Sequence, residues 1–279
     1  MTVAHPKFAY EKGLHQLGNG AYAWLQPDGG WGWSNSGLIV DDDQALVIDT
    51  LFDVPLTRDM LDAYADASKA ANTINMVVNT HHNGDHCNGN CCCPDAKIIA
   101  HRATAEHMAL EPPALVQGFL DMAPELGELG KYLTSCFGPF DFKSVDQKIP
   151  DTLFDEDTTI HVGGKEVHLL HVGPAHTPGD TLVHVPADRT VYTGDILFIG
   201  GHPILWEGPV QNWIDACKGM GAACSHFDYS GPLTEVVLLG NLAIRTEGHL
   251  LWDGPNMRVT NNEVANQWVQ RAYRTGWKL

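Results

Sequence analysis

The chain opens as short alternating strands. Leu14–Leu17 and Ala21–Gln26 flank the turn signal Gly18-Asn19-Gly20 and predict a strand pair. A loop rich in glycine and tryptophan follows, from Asp28 to Trp33. The apolar runs Ser36–Val40 and Gln44–Thr50 predict a hairpin across Asp41-Asp42-Asp43. From Val54 to Ala70, Leu56, Met60, Leu61, Tyr64 and Ala65 recur at helical spacing. Thr73–Thr80 and Ala96–His101 read as strands, the first of them buried. Between Arg102 and Lys148 the pattern turns helical, broken at Pro112-Pro113 and Pro124. Asp151–Thr159 reads as an exposed acidic loop. Strands return at Thr158–Val162, Lys165–Val172, Thr181–Pro186 and Thr190–Phe198, and helices at Val210–Met220 and Asn262–Tyr273. Strands mixed with covering helices predict a layered α/β architecture in one domain over residues 1–279, with residues 102–148 as a helical insertion over one edge.

Composition narrows what such a domain does. Of 279 residues, 44% are apolar and 18% charged, a balance that excludes a disordered chain. With 34 acidic and 17 basic residues the formal charge is −17, which disfavours nucleic acid as a partner, because phosphate binding needs a surplus of Lys and Arg. No apolar run approaches the roughly 18 residues that cross a bilayer. The partner expected is a small-molecule substrate, with a homo-oligomer left open. Seven cysteines cannot all pair, and Cys91, Cys92 and Cys93 are consecutive, which suits free thiols in a reducing compartment. These thiols read as small apolar packing, with a thiolate metal site as the alternative. Met1 to Lys12 carries no apolar signal core, so the expected location is cytoplasmic.

Fifteen histidines in a chain poor in Lys and Arg direct attention to the polar strand ends. Asn79 to His86 follows a strand, where α/β sheets place ligands. His81, Asn83, Asp85 and His86 fall at offsets that let a loop bring their side chains together, and imidazole with carboxylate suits zinc, iron or manganese. The competing reading is a surface turn stabilised by Asn and Asp. Gly173 to Asp180 puts His176 directly after another strand, and Tyr192-Thr193-Gly194-Asp195 puts a carboxylate at a third. Three ligand-bearing strand ends in one chain are hard to explain as coincidental polar turns. Trp31 and Trp33 either cover a pocket or pack inward. Met108, Leu110, Leu115, Phe119, Leu120 and Met122 form an apolar stripe that either packs on the sheet or lids an apolar substrate.

In their order along the chain, "THHNGDH", "GPAHTPGD" and "TGD" resemble the metallo-β-lactamase-fold hydrolases, over roughly residues 14 to 235. The resemblance implies an αββα sandwich, two sheets face to face with helices outside. It also implies one or two metal ions, zinc or else iron or manganese. Carried over, His81, Asp85, His86 and His176 match metal ligands, Asp195 matches a bridging carboxylate, and Asp49 matches a supporting Asp. Asp85 would also orient water and carry a proton to the leaving group. Two positions depart from the pattern. Asn83 stands where a second His is expected, and Ser230 where the last His is expected, with His226 and His249 as substitutes. The resemblance thus implies a metal-dependent hydrolase of a small, partly apolar ester, lactone, thioester or amide. The alternatives are a mono-iron oxygenase on the same fold, or a non-catalytic member with decayed metal sites.

Overall fold

In a computed structural model of the chain, the residues described are 10–198, 246 and 249–269. The strands β1 (Gly13–Gly18), β2 (Ala21–Leu25), β3 (Ser36–Asp41), β4 (Gln44–Ile48), β5 (Met76–Val78), β6 (Lys97–His101) and β7 (Thr152–Phe154) form one seven-stranded sheet in chain order. β1 to β4 pair antiparallel, and β4 to β7 pair parallel. Both faces of this sheet are covered, so its central strands are almost wholly apolar. Leu38, Val47, Val77 and Ile98 face helix α1 (Val54–Ala67), packing with its Met60 and Tyr64. Ile39, Leu46, Ile48, Val78 and Ile99 face the opposite way.

That second face meets a four-stranded antiparallel sheet of order β11-β10-β9-β8, formed by β8 (Thr158–Val162), β9 (Lys165–His171), β10 (Thr181–Val185) and β11 (Thr190–Tyr192). Here the sequence alternates. Val162, Val167, Leu169, Val183 and Val185 point into the inter-sheet core, and Glu166, His168 and His184 lie between them on the other face. Gly37 marks the closest contact: a Cβ there would fall 2.3 Å from the ring of Tyr192, whose hydroxyl donates to Tyr22 O across the interface. The layers helix, sheet and sheet are those of an αββα sandwich. The helix expected over 210–220 lies outside the described residues.

α1 begins where the sequence provides a cap: Asp53 Oδ1 accepts from Leu56 N at 2.9 Å, and Pro55 sits in the first turn. It ends at Ala67, short of the expected Ala70, and a 3-10 turn, Lys69–Asn72, continues the chain. Of the helical insertion expected over 102–148, α3 (Arg102–Leu110), α4 (Pro113–Met122) and α5 (Gly127–Phe137) form, while 138–148 holds only the 3-10 turn Phe142–Ser144. A single helical turn, α2 (Gly84–Cys87), occupies part of what reads as a loop. The acidic stretch 151–159 is another correction. Thr152–Phe154 is an edge strand, pairing with β6 and burying Phe154, while Asp151 Oδ1 accepts from Ile98 N. Three residues flanked by aspartates carry too little alternation to announce a strand.

The chain divides into two compact units, Met1–Val210 and Gln211–Leu279. In the second, β12 (Trp252–Asp253) and β13 (Arg258–Val259) pair antiparallel, and α6 (Glu263–Asn266) closes a small core of Val259 and Ala265. Asn266 bonds both backbone groups of Val259. The expected helix 262–273 begins as read but stops at Asn266, with Gln267–Val269 in a turn; residues 270–273 lie outside the described ones. Among the described residues, no helix is long and apolar enough to cross a membrane.

One buried ion pair ties β9 to the turn after β10. Lys165 Nζ lies 2.8 Å from Asp188 Oδ2, with both side chains almost wholly covered, and it also donates to Asn19 O. Asp188→Ala leaves that ammonium buried and unpaired, so unfolding in urea is expected to show a loss of about 3–5 kcal/mol. An unchanged urea midpoint would contradict the burial of this pair.

Candidate metal centre

The centre is built on the chain just past β4. Asp49 has φ of 58°, a left-handed conformation unusual for a residue other than glycine. It is held there from both sides, its N–H donating to Val78 O and its carbonyl accepting from Ser36 Oγ. The result aims a buried carboxylate at the end of β5. Oδ1 accepts from Thr80 N at 2.7 Å. Oδ2 accepts from the Thr80 hydroxyl at 2.7 Å and from His86 Nδ1 at 2.9 Å.

Two imidazoles are oriented by this one carboxylate. His86 donates through Nδ1, which leaves Nε2 facing inward. Because the Thr80 hydroxyl gives its proton to Asp49, its oxygen accepts from His81 Nδ1 at 3.0 Å, and His81 Nε2 also faces inward. The two rings lie 4.2 Å apart. The α2 turn that carries Asp85 and His86 is fixed from below. His86 O accepts from Thr50 N and Asn79 Nδ2, and Asn79 and Asn90 exchange side-chain hydrogen bonds. From the other side, the Ser34 hydroxyl donates to Asp85 O.

The second sheet supplies the remaining groups. His176 follows β9 in a loop closed by Asp180, whose carboxylate takes both Thr177 N and Thr177 Oγ1. Asp195 follows β11 through Gly194, which has φ of 48° and sits against Thr80. Asp195 Oδ1 lies 3.2 Å from His86 Nε2 and Oδ2 lies 3.6 Å from His176 Nε2. Asp85 Oδ2 lies 3.7 Å from His86 Nε2. His81, Asp85, His86, His176 and Asp195 are therefore brought together, with Asp195 between the His86 and His176 sides. Asn83 joins them, its Oδ1 accepting from His176 Nε2 at 2.8 Å.

His82 turns away towards α3, its ring 5.1 Å from that of His107 and its Nε2 3.5 Å from Glu111. His226 and Ser230 lie outside the described residues. His249 is exposed in the second unit. Thr80, Asn79, Asn90 and Asp180 are supporting residues that the motif reading assigns no role. Their signal is position alone, beside or within the ligand-bearing stretches.

Charges in the centre pull against one another. Burial, followed by the neighbouring His86, pushes the His81 pKa well below the ordinary imidazole value. At His86 burial acts in the same sense, but Asp195, Asp85 and Asp49 together outweigh it and raise its pKa. Burial raises Asp85, partly offset by His86. Asp195 is lowered despite its burial, by the charge and hydrogen bond of His86. In the protein alone, a proton on His86 thus answers the carboxylates, as a bound cation would.

Among the described residues, two groups have donor atoms within 4.8 Å of one another: His81, His176 and Asp195; and Asp49, His81 and His86. Asp49 is better read as an orienting residue, since its oxygens already accept three hydrogen bonds. His81 Nε2 is buried with no hydrogen-bond partner, which fits a nitrogen that ligates a cation.

An aromatic cluster adjoins the centre. Phe52 packs 4.8 Å from both Phe140 and Phe142, Trp33 lies 5.0 Å from Phe140, and a Cβ on Gly84 would lie 3.0 Å from the Phe52 ring. Trp33 therefore packs inward, partly buried, on this cluster, whereas Trp31 is 41% exposed and donates to Tyr132 OH. The apolar stripe also divides. Met108 is buried and Leu120 packs on the aromatic cluster, but Leu110, Leu115, Phe119 and Met122 are about half exposed or more. Of the consecutive thiols only Cys93 is buried, which corrects the packing expectation for Cys91 and Cys92.

A family model described as the metallo-beta-lactamase superfamily matches residues 29–239. The chain belongs to the metallo-beta-lactamase superfamily. A metallo-beta-lactamase from Pontibacter korlensis aligns with TM-score 0.51 and 16% identity, over 73% of this chain and 81% of that one. A double mutant of the sec-alkyl sulfatase PisA1 aligns with TM-score 0.50 and 18% identity, over 66% of this chain and 31% of that one. This superfamily member thus spans less than a third of the sulfatase's length in that alignment. At such identities these likenesses establish the fold. No curated protein sequence matches the chain.

Gly194 tests the close approach that carries Asp195 into this metallo-beta-lactamase-like centre. A Cβ there would lie 2.5 Å from Thr80 Oγ1, on a backbone that disfavours side chains. Gly194→Ala is expected to cost about 2 kcal/mol by strain and overpacking, read by chemical denaturation. A neutral substitution would refute the contact.

Proposed function

We propose that the protein is a metal-dependent hydrolase of a small, partly apolar ester, lactone, thioester or amide, β-lactams included. The observation that carries this reading is His81 Nε2, buried and without a partner, with donor atoms of His176 and Asp195 close by. Leaving such a nitrogen unsatisfied costs about 1–3 kcal/mol, which a cation would remove. Nitrogen and carboxylate donors suit zinc, with iron or manganese as alternatives. His81, His176, Asp195 and the Asn83 amide oxygen would hold one ion, and Asp85, His86 and Asp195 a second. Ions held there would supply hydroxide at neutral pH, by lowering the pKa of water to about 7, and would stabilise the oxyanion.

The chain's own residues do the remaining work. Asp49 and Thr80 keep both Nε2 atoms turned inward. Asp85 orients the water, accepts its proton and delivers it to the leaving group. The Phe52 cluster beside Gly84 gives the region an apolar flank, which suits an apolar acyl or alkyl portion.

A specific observation favours a second reading. With Asn83 in place of an imidazole, His81, His176 and Asp195 make two histidines and one carboxylate, a set also used by non-haem iron oxygenases. Elemental analysis of protein purified without added metal separates the readings. Zinc with turnover of ester, lactone, thioester, sulfate-ester or β-lactam substrates supports the hydrolase. Iron with oxygen-dependent turnover supports the oxygenase, and a metal-free, inactive protein supports neither.

Under the hydrolase reading, Asp85→Ala and His176→Ala should each abolish turnover and reduce metal content. Unchanged activity in either variant would sink the assignment. Asp49→Asn keeps the size of the side chain but weakens its hold on the two imidazoles. Metal affinity, measured by competition with a chelating dye, is expected to fall about 10–100-fold.

A further inference from the structure

His101 closes β6 in the seven-stranded sheet, and His171 closes β9 in the four-stranded one. Their rings lie face to face, with centroids 3.7 Å apart and planes 3° from parallel. Each ring also holds backbone. His101 Nδ1 caps α3, accepting from Ala103 N at 3.2 Å, and its Nε2 donates to Asp155 O at 3.4 Å. His171 Nε2 donates to Pro178 O at 3.1 Å, across the base of the loop that carries His176. The same loop meets α3 at Thr104, whose hydroxyl donates to Gly179 O at 3.1 Å. A Cβ on Gly179 would lie 2.1 Å from Thr104 Oγ1, so the loop rests directly on the helix. We propose that the His101–His171 stack is an acid-sensitive latch, closed while His101 is neutral, which opens when His101 takes up a proton and frees the His176 loop from α3.

The hydrogen bonds explain why a proton there opens the joint. With Nε2 donating and Nδ1 accepting, His101 is the neutral imidazole. A further proton has to go to Nδ1, where it would meet the Ala103 N–H and remove the cap of α3. It would also set a cation against the facing ring, and a second proton on His171 would stack two like charges. Charged groups surround the pair on several sides. From α3 comes Arg102, held by Asp155 at 2.7 and 2.9 Å and influenced by Glu106. Between β7 and β8 lie Asp155 itself and Asp157, whose Oδ1 accepts from His171 N at 2.8 Å. At the end of β7, Phe154 stands 5.6 Å from the His101 ring. Within the loop, the Asp180 carboxylate is turned to Thr177. Burial, then the facing His171, lowers the His101 pKa, against a smaller opposing effect of Asp155. A lowered imidazole favours the latched form fully above its ordinary value of about 6.5, and that preference is lost as pH falls below it.

Opening bears on the centre through the chain. His176 Nε2 donates to Asn83 Oδ1 at 2.8 Å and lies 3.6 Å from Asp195 Oδ2. A loop released from α3 has less to hold His176 in that place. The latch belongs to the loop and to α3, and it does not depend on which reaction the centre performs.

Hydrogen exchange of the full chain, read by mass spectrometry and corrected for the intrinsic effect of pH, tests the proposal. Between about pH 7.5 and about pH 5, protection should fall about fivefold or more in peptides covering 102–110 and 172–181, since one cap alone is worth about that much. His101→Asn keeps a capping side chain but cannot take up the proton. In that variant the protection of both peptides should stay level over the same range. Unchanged protection in the natural chain would overturn the latch. So would a His101→Asn variant that loses protection in acid as the natural chain does, because another group would then be the one that titrates. Should the variant fail to fold by circular dichroism, the ring signals of His101 in the natural chain decide by nuclear magnetic resonance. Titration below the ordinary imidazole value, in step with the loss of loop protection, supports the latch. Titration at or above that value, or out of step with the loop, overturns it.

Discussion

The centre depends on one buried carboxylate. Asp49 sits among apolar strand ends, where an unpaired charge would cost several kcal/mol. Three donors satisfy it: Thr80 N, the Thr80 hydroxyl and His86 Nδ1. Each donor performs a second task. The Thr80 amide fixes how the chain leaves β5, its hydroxyl passes the orientation on to His81, and His86 is turned directly. The unusual φ of Asp49 is what points the carboxylate there. The register between Ile48 and Val78 brings the two strand ends level, so sheet pairing and imidazole orientation form a single constraint.

That constraint makes the two sides of the centre unequal. His86 faces Asp49, Asp85 and Asp195, and its raised pKa records the excess of negative charge. His81 faces fewer anions and remains neutral through burial. Asn83 accentuates the contrast, since a neutral amide oxygen, already bonded to His176, stands where an imidazole would donate a nitrogen. A cation near His86 would meet strong electrostatic attraction. One near His81 would rely more on ligand geometry and on relieving the unpartnered Nε2.

Much of this was legible in the sequence because the chemistry sits at strand ends and the strands announce themselves. Apolar runs such as Leu38–Val40 and Ala45–Ile48 give away a sheet buried on both faces, and the alternation in Lys165–His171 gives away one packed on a single face. The convergence of His81, Asp85, His86, His176 and Asp195 followed from motif order. Tertiary context decided the rest. β7 is too short to declare itself and exists because β6 offers a parallel edge. The α2 turn takes over a stretch that reads as loop because its backbone carbonyl has buried donors waiting. Trp31 and Trp33, alike in sequence, part company because only Trp33 meets Phe140.

Thr80 is where the two sheets become one site. Its amide and hydroxyl serve Asp49, its oxygen receives His81, its carbonyl accepts from Thr181 N at the start of β10, and Gly194 lies against its side chain. The first two contacts belong to the seven-stranded sheet and the last two to the four-stranded one. The inter-sheet core of Ile39, Val78, Leu169 and Val183 sets how far apart the sheets stand, but it has no direction and would tolerate a small slide. Hydrogen bonds at Thr80 would not, because a shift of one residue in β10 or β11 would remove Thr181 N from its carbonyl and Gly194 from its side chain. Apolar packing holds the sheets together, and the polar joint at Thr80 fixes where His176 and Asp195 arrive relative to His81 and His86.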